Sequence, residues 1–302
     1  MNKEKAVVTG GAGFIGSHIV DALLEKGFDV HIIDNLSGGK MERVNDDATF
    51  HKVDIRNLED IKPIFTNSKY VFHTAAVPRV PYSIEEPVDT HDNNVNGTLN
   101  VLVAAKEGGV GKVIYSASSS AYGDQETMPL VETMPTDPKS PYGLQKYIGE
   151  LKCRLWSQVY GVPTISLRYF NVYGPRLDPE GAYALVIGKF LKQASEGKPI
   201  TITGDGNQTR DFTHVSDIVA ANILASESGI GNGEVFNVGY GKRRSINDLA
   251  KLFGGKSIYI EARLEPKHSE ADHSKAKEYL GWTPKVTLED GVAELKKEWG
   301  IG

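Results

Sequence analysis

One cysteine, Cys153, stands in 302 residues, so an internal disulfide is excluded and no thiolate cluster can hold a metal. The eight histidines show no metal-ligand spacing with acidic partners, so no metal site is expected. Basic charge is also scarce. The 34 Lys and Arg stand against 39 Asp and Glu, a net charge of −5, with no long basic run to meet a nucleic acid or an anionic membrane. Long apolar runs are missing too: nothing approaches the roughly 20 residues of a membrane span. The apolar stretch in MNKEKAVVTGGAG is too short for the hydrophobic region of a signal peptide. A cytoplasmic protein is therefore expected, with neither nucleic acid nor membrane as partner. No internal repeat or low-complexity tract interrupts the chain. Its 40% hydrophobic content can bury a sizeable core, in one large or two modest domains.

What is there is an alternation. β-Branched runs at 6–9, 29–34, 49–53, 70–74, 112–118 and 164–168 are separated by segments with helical periodicity or turn residues. This pattern predicts an α/β fold, a Rossmann-type doubly wound parallel sheet with crossover helices. One helix is predicted over 91–107, with Val95, Leu99 and Leu102 as its buried stripe, and another over 141–160. After Arg168 the pattern loosens, with helical stretches near 214–228, 245–254 and 288–299. The chain divides into a nucleotide domain, 1–168, also receiving 212–240, and a smaller mixed α/β substrate-binding part, mainly 169–302 and discontinuous.

The first run leads into VVTGGAGFIGSHIV at 7–20, which contains two glycine patterns, Gly11-x-Gly13-x-x-Gly16 and Gly10-x-x-Gly13-x-x-Gly16. Small residues between a strand and a helix let a pyrophosphate approach backbone N–H groups at the positive end of the helix dipole. A tight turn without a ligand is the plainer alternative. Asp34, ending the next run, weighs against it: a carboxylate there accepts hydrogen bonds from the adenosine ribose and repels a 2′-phosphate, favouring NAD over NADP.

Further on, SPYGLQK at 140–146 places Tyr142 and Lys146 at i and i+4 on one helix face. A tyrosine acts as a base at neutral pH only if its pKa falls by about 3 pH units, roughly 4 kcal/mol. A lysine charge ~4 Å away, in an effective dielectric of about 20, supplies about that much. Surface helices carry this spacing by chance, so context decides. That context is YSASSSAYGD at 115–124, whose Ser118, Ser119 and Ser120 follow a predicted strand and reach the ligand-lining edge of a parallel sheet.

Taken together, the Gly10, Gly13, Gly16 register, Asp34, the hydroxyl-rich loop and Tyr142-x-x-x-Lys146 resemble the extended short-chain dehydrogenase/reductase family of nucleotide-sugar enzymes, from end to end. The resemblance is strongest to members that invert C4 of a UDP-hexose. It implies NAD as a held cofactor, contacted by Gly10, Gly13, Phe14, Ile15, Gly16, Asp34, Asn35, Asp54, Ile55, Ala75, Ala76, Asn93, Ser116, Tyr142, Lys146 and Phe170. It implies Ser118, Tyr142 and Lys146 as catalytic residues. Ser118, Tyr142, Asn171, Arg210, Arg263 and Ser269 are implied on the UDP-sugar, with Arg210 and Arg263 as candidates for its diphosphate. Read without the family, Arg210-Asp211 is a surface ion pair.

The implied reaction oxidises C4 to a ketone and reduces it again on the opposite face, on UDP-glucose and UDP-galactose. The small Ser269 extends the range to UDP-GlcNAc and UDP-GalNAc. A UDP-glucuronate decarboxylase shares the oxidation step. A 4,6-dehydratase needs an Asp-Glu pair where Ser119-Ser120 stand, which disfavours it. A non-catalytic NAD sensor needs none of Ser118, Tyr142 and Lys146. The family also implies a homodimer, formed through the 91–107 and 141–160 helices.

Overall fold

The computed structural model describes residues 3–179, 185–261 and 267–301. Seven strands form the main sheet: β1 (Lys5–Thr9), β2 (Asp29–Ile33), β3 (Thr49–His51), β4 (Tyr70–His73), β5 (Lys112–Ser118), β6 (Thr164–Tyr169) and β7 (Asn232–Val238). Their order is β7-β6-β5-β4-β1-β2-β3, and every pairing is parallel. The winding reverses between β1 and β4, and a crevice opens beyond the strand ends at such a point.

Both faces of the sheet are covered. Helices α1 (Phe14–Glu25) and α5 (Val215–Glu227) close one face through Val8, Ile19, Leu23, Ile218 and Phe236. Helices α2 (Leu58–Phe65), α3 (Gly97–Glu107) and α4 (Pro141–Tyr160) close the other through Val7, Ile61, Leu102, Tyr115 and Trp156. That is why β5 is buried along its whole length and shows no polar alternation.

A separate apolar cluster gathers Phe190, Leu191, Ile202, Phe212, Leu249, Phe253, Leu288 and Leu295. It sits among short strand pairs, 200–203 with 257–260 in parallel and 209–211 with 243–245 antiparallel. Between its segments the chain goes back to the large sheet, through α5 and β7 and again through Ala276, Leu280 and Trp282, which join the first core cluster.

The single helix expected over 91–107 is not what forms. A short α-helix, Pro87–His91, passes into a π turn over Asp92–Asn96 before α3 begins at Gly97. Val95 and Leu102 of the expected stripe are buried and Leu99 packs on the core partly covered, while Val101, Ala104 and Ala105 widen the buried face. Gly97 itself is required by packing: a Cβ there would stand 2.6 Å from the Ile55 side chain. By contrast, α4 spans the predicted 141–160. The Ser140 hydroxyl accepts from the Gly143 N–H, Pro141 opens the first turn and Gly161, at φ 69°, ends the last.

Candidate active site

The glycine loop joins β1 to α1 with no room to spare. Gly10, at φ 73°, donates its N–H to the Ile33 carbonyl at 2.7 Å, and a Cβ there would lie 2.7 Å from the Ala75 nitrogen. A Cβ on Gly16 would lie 2.2 Å from the Gly10 carbonyl oxygen, and one on Gly13 at 3.0 Å from the same atom. Gly11 faces elsewhere: its Cβ would meet the Ile32 side chain at 2.8 Å. Thus Gly10, Gly13 and Gly16 shape the loop itself, and Gly11 seats it on the core. The open backbone at the start of α1, with Phe14 and Ile15 half-buried beside it, is a cradle that fits a pyrophosphate.

Asp34 follows β2 and is 8% exposed. Its carboxylate accepts from the Ala12 N–H at 3.1 Å and the Leu36 N–H at 2.8 Å, and burial raises its pKa against those two donors. Gly39 lies over it, where a Cβ would come within 2.8 Å of the carboxylate. Asn35 donates to Asp54 at 2.8 Å, and Asp54 is held by Arg56 at 2.8 Å, which pulls its pKa down to about 2. Ile55 and Asn93 are both buried along this side, and Ala75 and Ala76 form the loop beyond β4. A carboxylate beside a glycine cradle fits the ribose of a dinucleotide.

Two features here were not evident from the sequence. The Asn94 side chain, one residue past Asn93, accepts from the Val77 N–H at 2.8 Å, donates to the Val77 carbonyl at 3.2 Å and donates to Gln145 at 2.8 Å. It clamps the 75–77 loop to α4. The second is a polar chain through His73. Thr98 donates its hydroxyl to the Asn94 carbonyl at 2.7 Å, so at 2.9 Å it accepts from His73 Nε2. His73 Nδ1 therefore accepts from the Thr9 hydroxyl at 2.7 Å, and Thr9 accepts from the Ala75 N–H at 3.4 Å. Burial pushes this imidazole down to about 3, so it is neutral.

Ser118 ends β5 and is 9% exposed; its hydroxyl donates to Ser120 Oγ at 3.1 Å and accepts from the Ser120 N–H at 3.2 Å. Tyr142 lies in the first turn of α4; burial pushes its pKa up to about 12, and the nearby Ser118 side chain draws it back in part. Lys146 is one turn on. Its Nζ donates to the Ser116 carbonyl at 2.9 Å, and burial lowers its pKa to about 8. The Ser116 hydroxyl faces away, 3.1 Å from Tyr169 Oη. Two glycines let α4 come so close: a Cβ on Gly143 would stand 2.7 Å from the Ser120 carbonyl, and one on Gly149 2.2 Å from Tyr115 Oη. A phenol near a serine hydroxyl, with a lysine one turn away, can exchange a proton with a substrate hydroxyl.

Past β6, Phe170 is fully buried and its ring centroid lies 6.3 Å from that of Tyr122. Asn171, at φ 29°, donates to the Asp211 carbonyl at 2.9 Å and to Ser269 Oγ at 3.3 Å. Arg210 donates to the Thr209 carbonyl at 2.9 Å and the Lys267 carbonyl at 3.4 Å. The ion pair read between Arg210 and Asp211 does not form. Neighbours on a strand point oppositely, and Asp211 is fully buried, accepting the N–H groups of Tyr240, Gly241 and Ala271, each at 2.9 Å. Burial pushes it up to about 6 against those donors. Arg263 lies outside the described residues. Among the described residues, no group of three His, Cys, Asp or Glu is placed to hold a metal, and no helix is long and apolar enough to cross a membrane.

A parallel sheet with a glycine cradle at its switch point and a half-buried tyrosine on a neighbouring helix has the arrangement of an NAD-dependent enzyme. The chain belongs to the NAD dependent epimerase/dehydratase family, whose model matches residues 6–239. It is 41% identical over 297 residues to a putative UDP-glucose 4-epimerase of Methanocaldococcus jannaschii, covering 96% of each chain. Among solved structures, it is similar to a UDP-glucose 4-epimerase of Thermotoga maritima determined with UDP-glucose. That likeness has a TM-score of 0.94 and 41% identity, over 98% of each chain. A UDP-N-acetylglucosamine 4-epimerase of Methanobrevibacter ruminantium M1, in complex with UDP-N-acetylmuramic acid, gives a TM-score of 0.94 and 40% identity, over 100% of this chain and 99% of that one.

Proposed function

We propose that the protein inverts C4 of a UDP-hexose, interconverting UDP-glucose and UDP-galactose through a 4-keto sugar. The observation that carries this reading is the docking of the first turn of α4, which carries Tyr142, on the Ser118–Ser120 turn that ends β5, with the buried Lys146 one helical turn on and held to the Ser116 carbonyl. When bound, NAD supplies the acceptor and donor of the hydride at the sugar carbon. Tyr142 as phenolate takes the proton of the 4-hydroxyl, and Ser118 holds the same oxygen as it becomes a carbonyl. At about 12 in the structure, where Lys146 already stands one turn away, Tyr142 is a poor base, so the positive charge of the oxidised nicotinamide must add to that of Lys146 to lower it in the loaded enzyme. Lys146 also orients the nicotinamide ribose. The glycine cradle holds the pyrophosphate, with Asp34 on the adenosine ribose. Arg210 and Asn171, with Arg263 as a further candidate, anchor the sugar nucleotide while its pyranose turns over and offers the other face.

Ser269 extends the range of substrates. Its side chain is small and stays on Asn171, which leaves room for an N-acetyl group at C2, so UDP-GlcNAc and UDP-GalNAc are also proposed as substrates. The same reading includes a cytoplasmic homodimer. Ile84 and Val88, 62% and 82% exposed, and Leu155 and Val159, 48% and 60% exposed, give apolar faces to the helices around α4. Sedimentation of wild type and of Val159→Asp tests the dimer, which an unaltered monomeric profile in both would remove.

Incubation of the purified protein with UDP-galactose, without added NAD, tests the activity. UDP-glucose formed with no net NADH supports it. Release of CO2 from UDP-glucuronate, or a stable 4-keto-6-deoxy product, in place of epimerisation assigns the decarboxylase or dehydratase reaction instead.

A further inference from the structure

Arg168 is 2% exposed, and its side chain meets residues on the same elements that carry the site: Glu150 on α4 and Tyr122 just after β5. Its Nε donates to Glu150 at 2.9 Å and its Nη2 to the other carboxylate oxygen at 2.6 Å. Glu150 stands on α4 one turn beyond Lys146 and two beyond Tyr142, and is itself 5% exposed. The guanidinium carbon also lies 4.4 Å from the centroid of the Tyr122 ring. Tyr122 follows the short turn that begins after Ser118, and its hydroxyl donates to Asn237 at 2.7 Å, on the strand residue directly beside Arg168. Two residues after Arg168 come Phe170 and then Asn171.

A pair buried this way is a weak source of stability, because removing two charges from water offsets most of their attraction. What it does supply is direction. The planar fork of arginine fixes both angle and distance to a carboxylate, which close apolar packing does not. The other side of α4 is tied to the π turn by Lys152 on the Val95 carbonyl and to α3 by Trp156 on the Leu102 carbonyl. Toward β6, Thr164 at the start of the strand bonds Cys153 and Ser157 near the far end of α4, and the Glu150 pair is the tie nearer the Tyr142 end.

We propose that Arg168 is a positioning residue for the epimerase reaction. Gripping Glu150 with one edge and covering Tyr122 with its face, it sets Tyr142 and Lys146 on α4 against Ser118 on β5 and against the Phe170–Asn171 segment. The proposal rests on the epimerase reading above.

Its test compares three proteins, each carrying its bound NAD: wild type, Arg168→Lys, and the double variant Arg168→Met with Glu150→Leu. The double variant removes both charges and keeps the volume. For it, a melting temperature near wild type and unchanged NAD content are expected, with KM for UDP-galactose within about threefold and kcat reduced by roughly 10- to 100-fold, the effect of a misplacement of about 1 Å. The alkaline shift of its pH–rate profile reports a Tyr142 less well matched to its neighbours. Arg168→Lys, which keeps the charge but loses the fork, is expected to lose about tenfold in kcat at unchanged KM, and it carries the test if the double variant fails to fold. Wild-type kcat in either folded variant overturns the proposal, as does a loss in which kcat, KM and melting temperature worsen together. Absence of epimerisation in the wild type defeats the parent reading instead.

Discussion

Gly16 is pressed against Gly10 so closely that one added methyl group would stand 2.2 Å from the Gly10 carbonyl oxygen. Gly16→Ala must therefore move backbone at the start of α1, and the expected result is loss of bound NAD with a lower melting temperature. Gly11→Ala presses on the Ile32 side chain at 2.8 Å instead. Overpacking of that kind costs about 1–3 kcal/mol of stability and is expected to leave NAD bound. Cofactor content after purification separates the two variants; equal retention in both would contradict the division between loop and core.

Tyr142→Phe is expected to abolish epimerisation and to keep its NAD, as measured by sugar-nucleotide separation and absorbance; a turnover close to wild type removes Tyr142 as the base. Lys146→Met acts through charge. With less positive charge nearby, the tyrosine stays protonated to higher pH, so activity is expected to fall by about 100-fold at pH 7 and to recover in part as pH rises. A uniform loss from pH 7 to 9 would show that Lys146 serves only to bind.

Asp211 accepts three N–H groups from two distant segments. Asp211→Ala leaves all three buried donors unmet, at about 1–3 kcal/mol each, and thermal denaturation is expected to register a drop of the order of 10 °C. The sign of its pH effect is also defined. Raised from 3.8 to about 6 in the folded protein, Asp211 contributes stability that is fully present below pH 3.8 and is lost as pH rises to about 6. The pH dependence of unfolding across that window is expected to flatten in Asp211→Asn.

Ser269→Tyr is expected to lose turnover of UDP-GlcNAc while keeping that of UDP-galactose, because the added ring fills the space beside C2. Ser269→Ala keeps the space and loses the acceptor for Asn171 at 3.3 Å and for the Asp211 N–H at 3.4 Å, both long bonds, so it is expected to retain both activities. Equal inactivity of wild type and Ser269→Tyr toward acetylated sugars would dispose of the proposed range.

Much of this architecture could be read in advance where the cause was local. Ser140, Pro141 and Gly161 mark α4 by capping chemistry within a few residues, and six of the seven sheet strands show as short β-branched runs between helical segments, β7 alone being missed. The site residues that the sequence concealed are those whose role depends on distant partners. Asn94 lies next to the expected Asn93, but a π turn, invisible to a period of 3.6, aims it at Val77 and Gln145. Asp211 looks like a partner for Arg210 until the strand turns it inward to Tyr240, Gly241 and Ala271. Arg168 and Glu150 are 18 residues apart, and only the docking of α4 on β6 joins them.

The return of the chain to the large sheet has a practical consequence for dissection. Cutting after Tyr169 removes β7 from the sheet edge and α5 from its face, together with the buried Trp282 that packs on the same cluster. The Rossmann portion therefore cannot be expressed by truncating the gene at one point. A minimal version would need the excursions at 172–211 and 243–269 replaced by short bridges, with the final helix at 288–298 removed.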